Sequence, residues 1–116
     1  MKSLLFISRH APTQAQRDLA ARLGFDRLQA SDETLTADAP NEVRALGIVA
    51  GEHVAVVAPL YVGLALIRSG YRVVEFVNDP AARAAGVFHC LGVYVHALQE
   101  STFLPAATST PPQNRE

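Results

Sequence analysis

Cysteine is nearly missing from this chain: Cys90 stands alone among 116 residues. An internal disulfide is thereby excluded, and without paired Cys or a Cys/His cluster there is no recognisable zinc site. A surplus of charge of one sign is missing too. Lys and Arg number 10 against 11 Asp and Glu, a formal net charge of −1. No global basic field draws in a nucleic-acid duplex, and any polyanion bound must be small or locally held. Long apolar runs are also lacking. None approaches the ~20 residues that span a bilayer, and the run after Lys2-Ser3 is shorter than the roughly 7–15 residues of a secretory core. The expected location is therefore the cytoplasm, with no membrane partner. The length suits one domain with a core of its own, small enough that a dimer would help it enclose a ligand.

The most informative stretch is Leu4 to Gln16, where an apolar run stops at polar groups and a helix start follows at once. Leu4 to Ile7 are continuously apolar, which suits a strand buried on both faces of a parallel sheet. Thr13 with Gln16 three residues on fits a capping box, so a helix is predicted to start near Gln14. Leu19 and Leu23 fall one turn apart beside Ala15 and Ala20, and Gly24 stands where a left-handed residue ends a helix. Ser8, Arg9 and His10 thus sit at the carboxyl end of a first strand, beside a helix N-terminus whose amides attract anions. In open α/β sheets that edge is where ligands usually bind.

Further on, strand-like and helix-like segments alternate. A short second strand is predicted over Asp26 to Ala30 and a loop over Ser31 to Ala39. Pro40 begins a short helix through Leu46, ended by Gly47. His53 to Ala58 is a β-branched strand bounded by Gly51 and Pro59. The helix after it carries Leu60, Leu64 and Ile67 at helical spacing and ends at Gly70. Arg72 to Val77 is another β-branched run, and strand, helix and strand so close together form a right-handed crossover in a parallel sheet. Asn78-Asp79-Pro80 makes a turn, and Ala81 to Ala85 at most a short helical connection. Gly86 to Leu98 reads as one or two closing strands, with Gly92 at a bend or bulge. The domain is predicted over residues 1–103. The tail over 104–116 has too little to bury and is expected to be disordered.

In a parallel sheet three strand tips then share one edge: Ser8 to His10, Ala58 to Gly63, and Asn78-Asp79. A cation, an imidazole, the Tyr61 ring and exposed amides suit a phosphate and a stacked base. Tyr61 equally suits packing along a helix face, Gly63 equally eases helix–sheet packing, and Arg9 and His10 equally read as exposed loop residues. His89, Cys90 and His96 on their apolar strand read as core or interface residues. Arg17, Arg22, Arg44 and Arg68 read as solvated helix faces.

Two resemblances attach to these residues. Ile7-Ser8-Arg9-His10-Ala11-Pro12-Thr13 resembles the opening of histidine phosphatases, in which a His becomes phosphorylated while arginines hold the phosphate. Ala11 replaces the expected Gly there, and no later His-Gly segment completes the pocket. A second resemblance covers roughly residues 2–98. Phe6 to Gln16, then Gly51 to Val57, Tyr61-Val62-Gly63-Leu64, Gly70 to Val74 and the closing Val87-Phe88-His89 are similar in series to a small stand-alone CRISPR-associated ring-nuclease family. Arg9 before His10 and Pro59-Leu60 in the turn depart from that pattern.

The second resemblance implies a Rossmann-like, CARF-related α/β fold with a mainly parallel sheet flanked by helices, and a homodimer. It also implies metal-independent, cofactor-free cleavage of cyclic tetra-adenylate, the messenger of type III CRISPR defence. The substrate's own ribose 2′-hydroxyl would attack the adjacent phosphorus, so the protein holds sugar and phosphate in line and stabilises the developing charge. Arg9 would clamp phosphate. His10 would donate to the leaving oxygen or accept from the 2′-hydroxyl. Ser8 and the amides from Thr13 through Gln14 to Gln16 would cradle phosphate, Tyr61 and Gly63 would accept an adenine, and Pro59 and Asn78 would also bind the substrate. A third reading is a sensor or sink that binds the nucleotide without cutting it.

Overall fold

The computed structural model describes residues 2–8, 10–86 and 89–106. Arg9, Val87 and Phe88, on which parts of the expected site and of the family resemblance fall, lie outside the described residues. So do residues 107–116, most of the expected tail.

The first apolar run forms strand β1, Ser3–Ile7, whose side chains alternate between two cores. Leu4 and Phe6 point to one and Leu5 and Ile7 to the other, which is why the run reads as continuously apolar. Helix α1 follows at Gln14–Arg22, then strand β2 at Arg27–Ser31, helix α2 at Ala39–Ala45 and strand β3 at His53–Val56. Helix α3 at Leu60–Arg68 leads to strand β4 at Arg72–Asn78. A short helix α4 at Pro80–Ala84 precedes strands β5, Cys90–His96, and β6, Ser101–Pro105.

These strands form one six-stranded mixed sheet in the order β2-β1-β3-β4-β5-β6. The β1–β2, β1–β3 and β3–β4 pairings are parallel, with Ser3 opposite Arg27, Phe6 opposite Ala55 and His53 opposite Arg72. The β4–β5 and β5–β6 pairings are antiparallel, with Val73 opposite His96 and His96 opposite Ser101. A tight connection closed by the Ala97 N–H on the Glu100 carbonyl at 2.8 Å joins the last two strands, and so short a turn permits only an antiparallel neighbour. Strand β6 departs from the sequence reading, which began the tail at Leu104. Leu104 instead pairs with Val93 and Pro105 with Gly92. The register slips beside Gly92, where Leu91 is passed over between Val77 and Asn78.

Helix α1 packs Leu19 and Ala20 against Leu4, Phe6, Val74, Phe76 and Val93 on one face of the sheet. Helices α2 and α3 pack Val43, Val62 and Leu66 against Val54, Val56 and Val73 on the other. Tyr71 is buried beneath them, its hydroxyl donating to the Ile48 carbonyl at 3.0 Å. The Arg22 guanidinium, expected to be solvated, donates from Nη1 to the Pro105 carbonyl at 2.8 Å and ties α1 to the last strand.

Helix α3 lies where expected but packs by a different stripe. The buried residues are Val62 and Leu66, whereas Leu60 is 78 % and Leu64 39 % exposed. The helix is apolar on nearly every side, so spacing alone does not select the inward face. Its outward Leu60 and Leu64 line a groove beside Val73, Glu75 and Val77 of β4.

Candidate functional site

The chain reverses direction across the sheet at β1. β2 lies on one side of it and β3, reached later, on the other. At such a point the connections leave in opposite directions and a crevice opens outside the carboxyl ends. Ile7 ends β1 there, its carbonyl taking the Val57 N–H at 3.0 Å, and the Ser8 N–H donates to Ser31 at 2.9 Å. Ser8 is buried, and its Oγ accepts the His10 amide at 3.1 Å. His10 itself is exposed.

The capping box forms as expected. Thr13 Oγ1 accepts the Gln16 amide at 3.2 Å, and Gln16 Oε1 accepts the Thr13 amide at 2.9 Å. Each of those side chains is therefore engaged with the other residue's backbone amide, and the amides of Gln14 and Ala15 are the ones left without a partner among the described residues. The Gln14 side chain reaches along the helix to Asp18 Oδ1 at 2.9 Å.

The other expected residues divide. Pro59, Gly63 and Asn78 line one open groove of about 800 Å³, bounded by Leu60, Leu64 and Ile67 of α3 and floored by Val73, Glu75 and Val77 of β4. Tyr61 is exposed on α3 and does not line it, and neither do Ser8, His10, Thr13, Gln14 or Gln16. The two groups border the same sheet edge, joined through the Val57 bond to Ile7.

The far end of the groove holds residues that sequence reasoning did not bring together. His96 Nδ1 lies 2.6 Å from Ser101 Oγ, and its Nε2 lies 2.9 Å from Glu75 Oε1. Since a carboxylate only accepts, Nε2 carries a proton toward Glu75, and in the neutral imidazole Nδ1 then accepts from the Ser101 hydroxyl. Tyr94 stacks on the imidazole at 5.2 Å and 16°, and Phe103 packs on Tyr94 at 4.8 Å. His96 is half-buried and lines the groove, which sets aside the core alternative of the core-or-interface expectation. The signal was present in the period of two, which sets Tyr94 and His96 opposite to Val93 and Val95. The partners lie 5 and 21 residues away in sequence, so no local motif announces them.

Cys90, by contrast, is the buried residue expected. Burial pushes its thiol above the usual range, and its Sγ lies 3.4 Å from the Gly92 carbonyl. His89 is exposed just before the strand. His53, at the opposite edge, is held below the ordinary imidazole value by burial, then by the charges of Arg72 and Lys2. Among the described residues no group of three or more His, Cys, Asp or Glu is placed to hold a metal, and no helix is long and apolar enough to cross a membrane.

No family model, no curated protein and no solved structure matches this chain.

Proposed function

We propose that this chain is a Rossmann-like, CARF-related ring nuclease that acts as a homodimer on cyclic tetra-adenylate in the cytoplasm. The observation that supports this reading is that Ser8 and His10 at the end of β1, the capped N-terminus of α1 and a groove lined by Pro59, Gly63 and Asn78 border one edge of the sheet. The unengaged Gln14 and Ala15 amides and the positive end of α1 favour a phosphate at the tip. Adenine enters the neighbouring mouth of the groove past Pro59, Gly63 and Asn78. Arg9 clamps the phosphate. His10 takes the 2′-hydroxyl proton as the 2′-oxygen bonds to phosphorus, and the bond from phosphorus to the 5′-oxygen breaks. The leaving oxygen gains its proton from water or from protonated His10. A two-fold ligand meets a two-fold dimer, so each subunit supplies half of the pocket.

The test is incubation with cyclic tetra-adenylate in EDTA, with products resolved by chromatography and mass detection. Linear di- or tetra-adenylate ending in a cyclic phosphate supports the nuclease, and Arg9→Ala should then abolish turnover. Binding without product supports the sensor or sink. Neither binding nor product removes the nucleotide reading altogether.

A further inference from the structure

The far end of the groove has the parts of a second, different site. Glu75 orients an imidazole, the imidazole accepts from a serine hydroxyl, and the serine opens on a cavity of about 800 Å³. Three features fix this array. The register of β5 and β6 sets Ser101 directly opposite His96, the register of β4 and β5 sets Glu75 opposite Tyr94, and the Tyr94 ring holds the imidazole plane. A base held at both nitrogens and on one face has little rotamer freedom left, as nucleophile activation requires.

The lining decides what kind of molecule suits this end. Among the described lining residues Glu75 and His96 are the titratable ones, and the remainder is mainly aliphatic, from Val57, Leu60, Leu64, Val73 and Val77. With a carboxylate present and no Lys or Arg among those described residues, the lining disfavours a phosphate and suits an uncharged carbonyl compound with an apolar chain. The floor from Val73 to Val77 extends roughly 13 Å at the usual strand rise, room for an extended acyl chain.

We propose that Ser101, His96 and Glu75 form a nucleophile, base and orienting group for acyl transfer from an uncharged carboxylic ester whose apolar acyl chain lies in the groove. Ser101 Oγ bonds to the carbonyl carbon as its proton passes to His96 Nδ1. The ester C–O bond breaks, and the departing alkoxide takes that proton from His96. Water, deprotonated in turn by His96, then hydrolyses the acyl-serine to release the acid and restore the hydroxyl. Glu75 stabilises the imidazolium in both halves and does not itself gain the proton. This site is separate from the strand tip and does not depend on the nucleotide reading.

The experiment treats the full chain with an alkyl fluorophosphonate, in which Ser101 Oγ displaces fluoride from phosphorus, and locates the adduct by peptide mass. The expected result is stoichiometric labelling at Ser101, none in Ser101→Ala, and a labelling rate about 100-fold lower or more in His96→Ala. Glu75→Gln should lower the maximal rate about tenfold or more while leaving the probe concentration for half-maximal rate unchanged, a split that a merely structural role would not give. All three side chains lie on the surface hairpin or the open face, and circular dichroism confirms that the variants stay folded. With p-nitrophenyl esters, kcat/KM should rise about fourfold per methylene that the groove buries. No adduct at Ser101, or an adduct formed equally fast in His96→Ala, overturns the proposal.

Discussion

The two halves of the sheet are clothed differently. Strands β1 and β3 are covered on both faces, by α1 on one side and by α2 and α3 on the other. Along β5 and β6 the α1 side alone is covered among the described residues, and the opposite face presents Tyr94, His96 and Phe103, with Glu75 of β4, beside the outward leucines of α3. The covered half is built from chemistry that reads locally, as apolar runs, caps and glycine stops. The open half is built from cross-strand neighbours, whose meaning depends on register.

The sharpest way to break that comparison is through α3, which belongs to both halves. Leu66 is fully buried against the sheet, and Leu66→Ala should cost about 2–5 kcal/mol. Leu60 is 78 % exposed, and Leu60→Ala should stay within about 0.5 kcal/mol. Urea titration of both variants checks the contrast, and equal losses would mean that the helix packs by its other face.

Glycine gives the next contrast. A Cβ on Gly92 would meet the Phe103 ring at 2.5 Å and the Leu104 carbonyl oxygen at 2.6 Å, whereas one on Gly63 would meet nothing within 4 Å. The ring can turn aside but the ladder carbonyl cannot. Gly92→Ala should therefore lose about 1–3 kcal/mol, and Gly63→Ala, inside a helix, should gain about 0.5–1 kcal/mol. Thermal melts read both signs directly.

A smaller effect probes the capping box. Thr13→Ala removes the acceptor for the Gln16 amide and should cost about 1 kcal/mol, measurable as a shift in urea midpoint at unchanged slope. Weaker still is the pH dependence from His53 at the covered edge. Its folded value is depressed, so the unfolded chain takes up the proton first. Its contribution is fully present above the unfolded value near 6.5 and is lost as pH falls from there through the folded value. Melting temperatures of wild type and His53→Asn should therefore converge as pH is lowered through that window, and parallel curves would show that His53 does not contribute.

How much the sequence discloses follows from the same division. Thr13 with Gln16 was legible because a capping box is complete within one turn. The β-branched runs of β3 and β4 were legible because a strand buried on both faces has no polar alternation to disguise it. The inward face of α3 was not, since Leu60, Leu64 and Ile67 fit one stripe and Val62 and Leu66 another. Strand β6 was hidden because Ser101 to Pro105 buries little on its own and becomes a strand by pairing with β5. The Ser101, His96 and Glu75 array was hidden for the same reason, since its geometry exists only once three strands are in register. At the strand tip, the expected grouping of Pro59, Gly63 and Asn78 is found in one groove, whereas Ser8, His10 and the cap residues gather beside it.

The bond from Arg22 to Pro105 bears on how the chain is made. Strand β5 supplies Cys90 and Val93 to the core beneath α1, and β6 receives the guanidinium of a helix completed some 80 residues earlier in synthesis. A nascent chain that has emerged only as far as Asn78 lacks Cys90 and Val93, which share the core with Leu19, Phe76 and Phe6 in the finished fold. At roughly 5–20 residues per second of translation, the remaining stretch takes a few seconds to arrive. During that interval the apolar flank of the first helix is open to whatever meets the ribosome exit, and the last strand both finishes the sheet and ends that exposure.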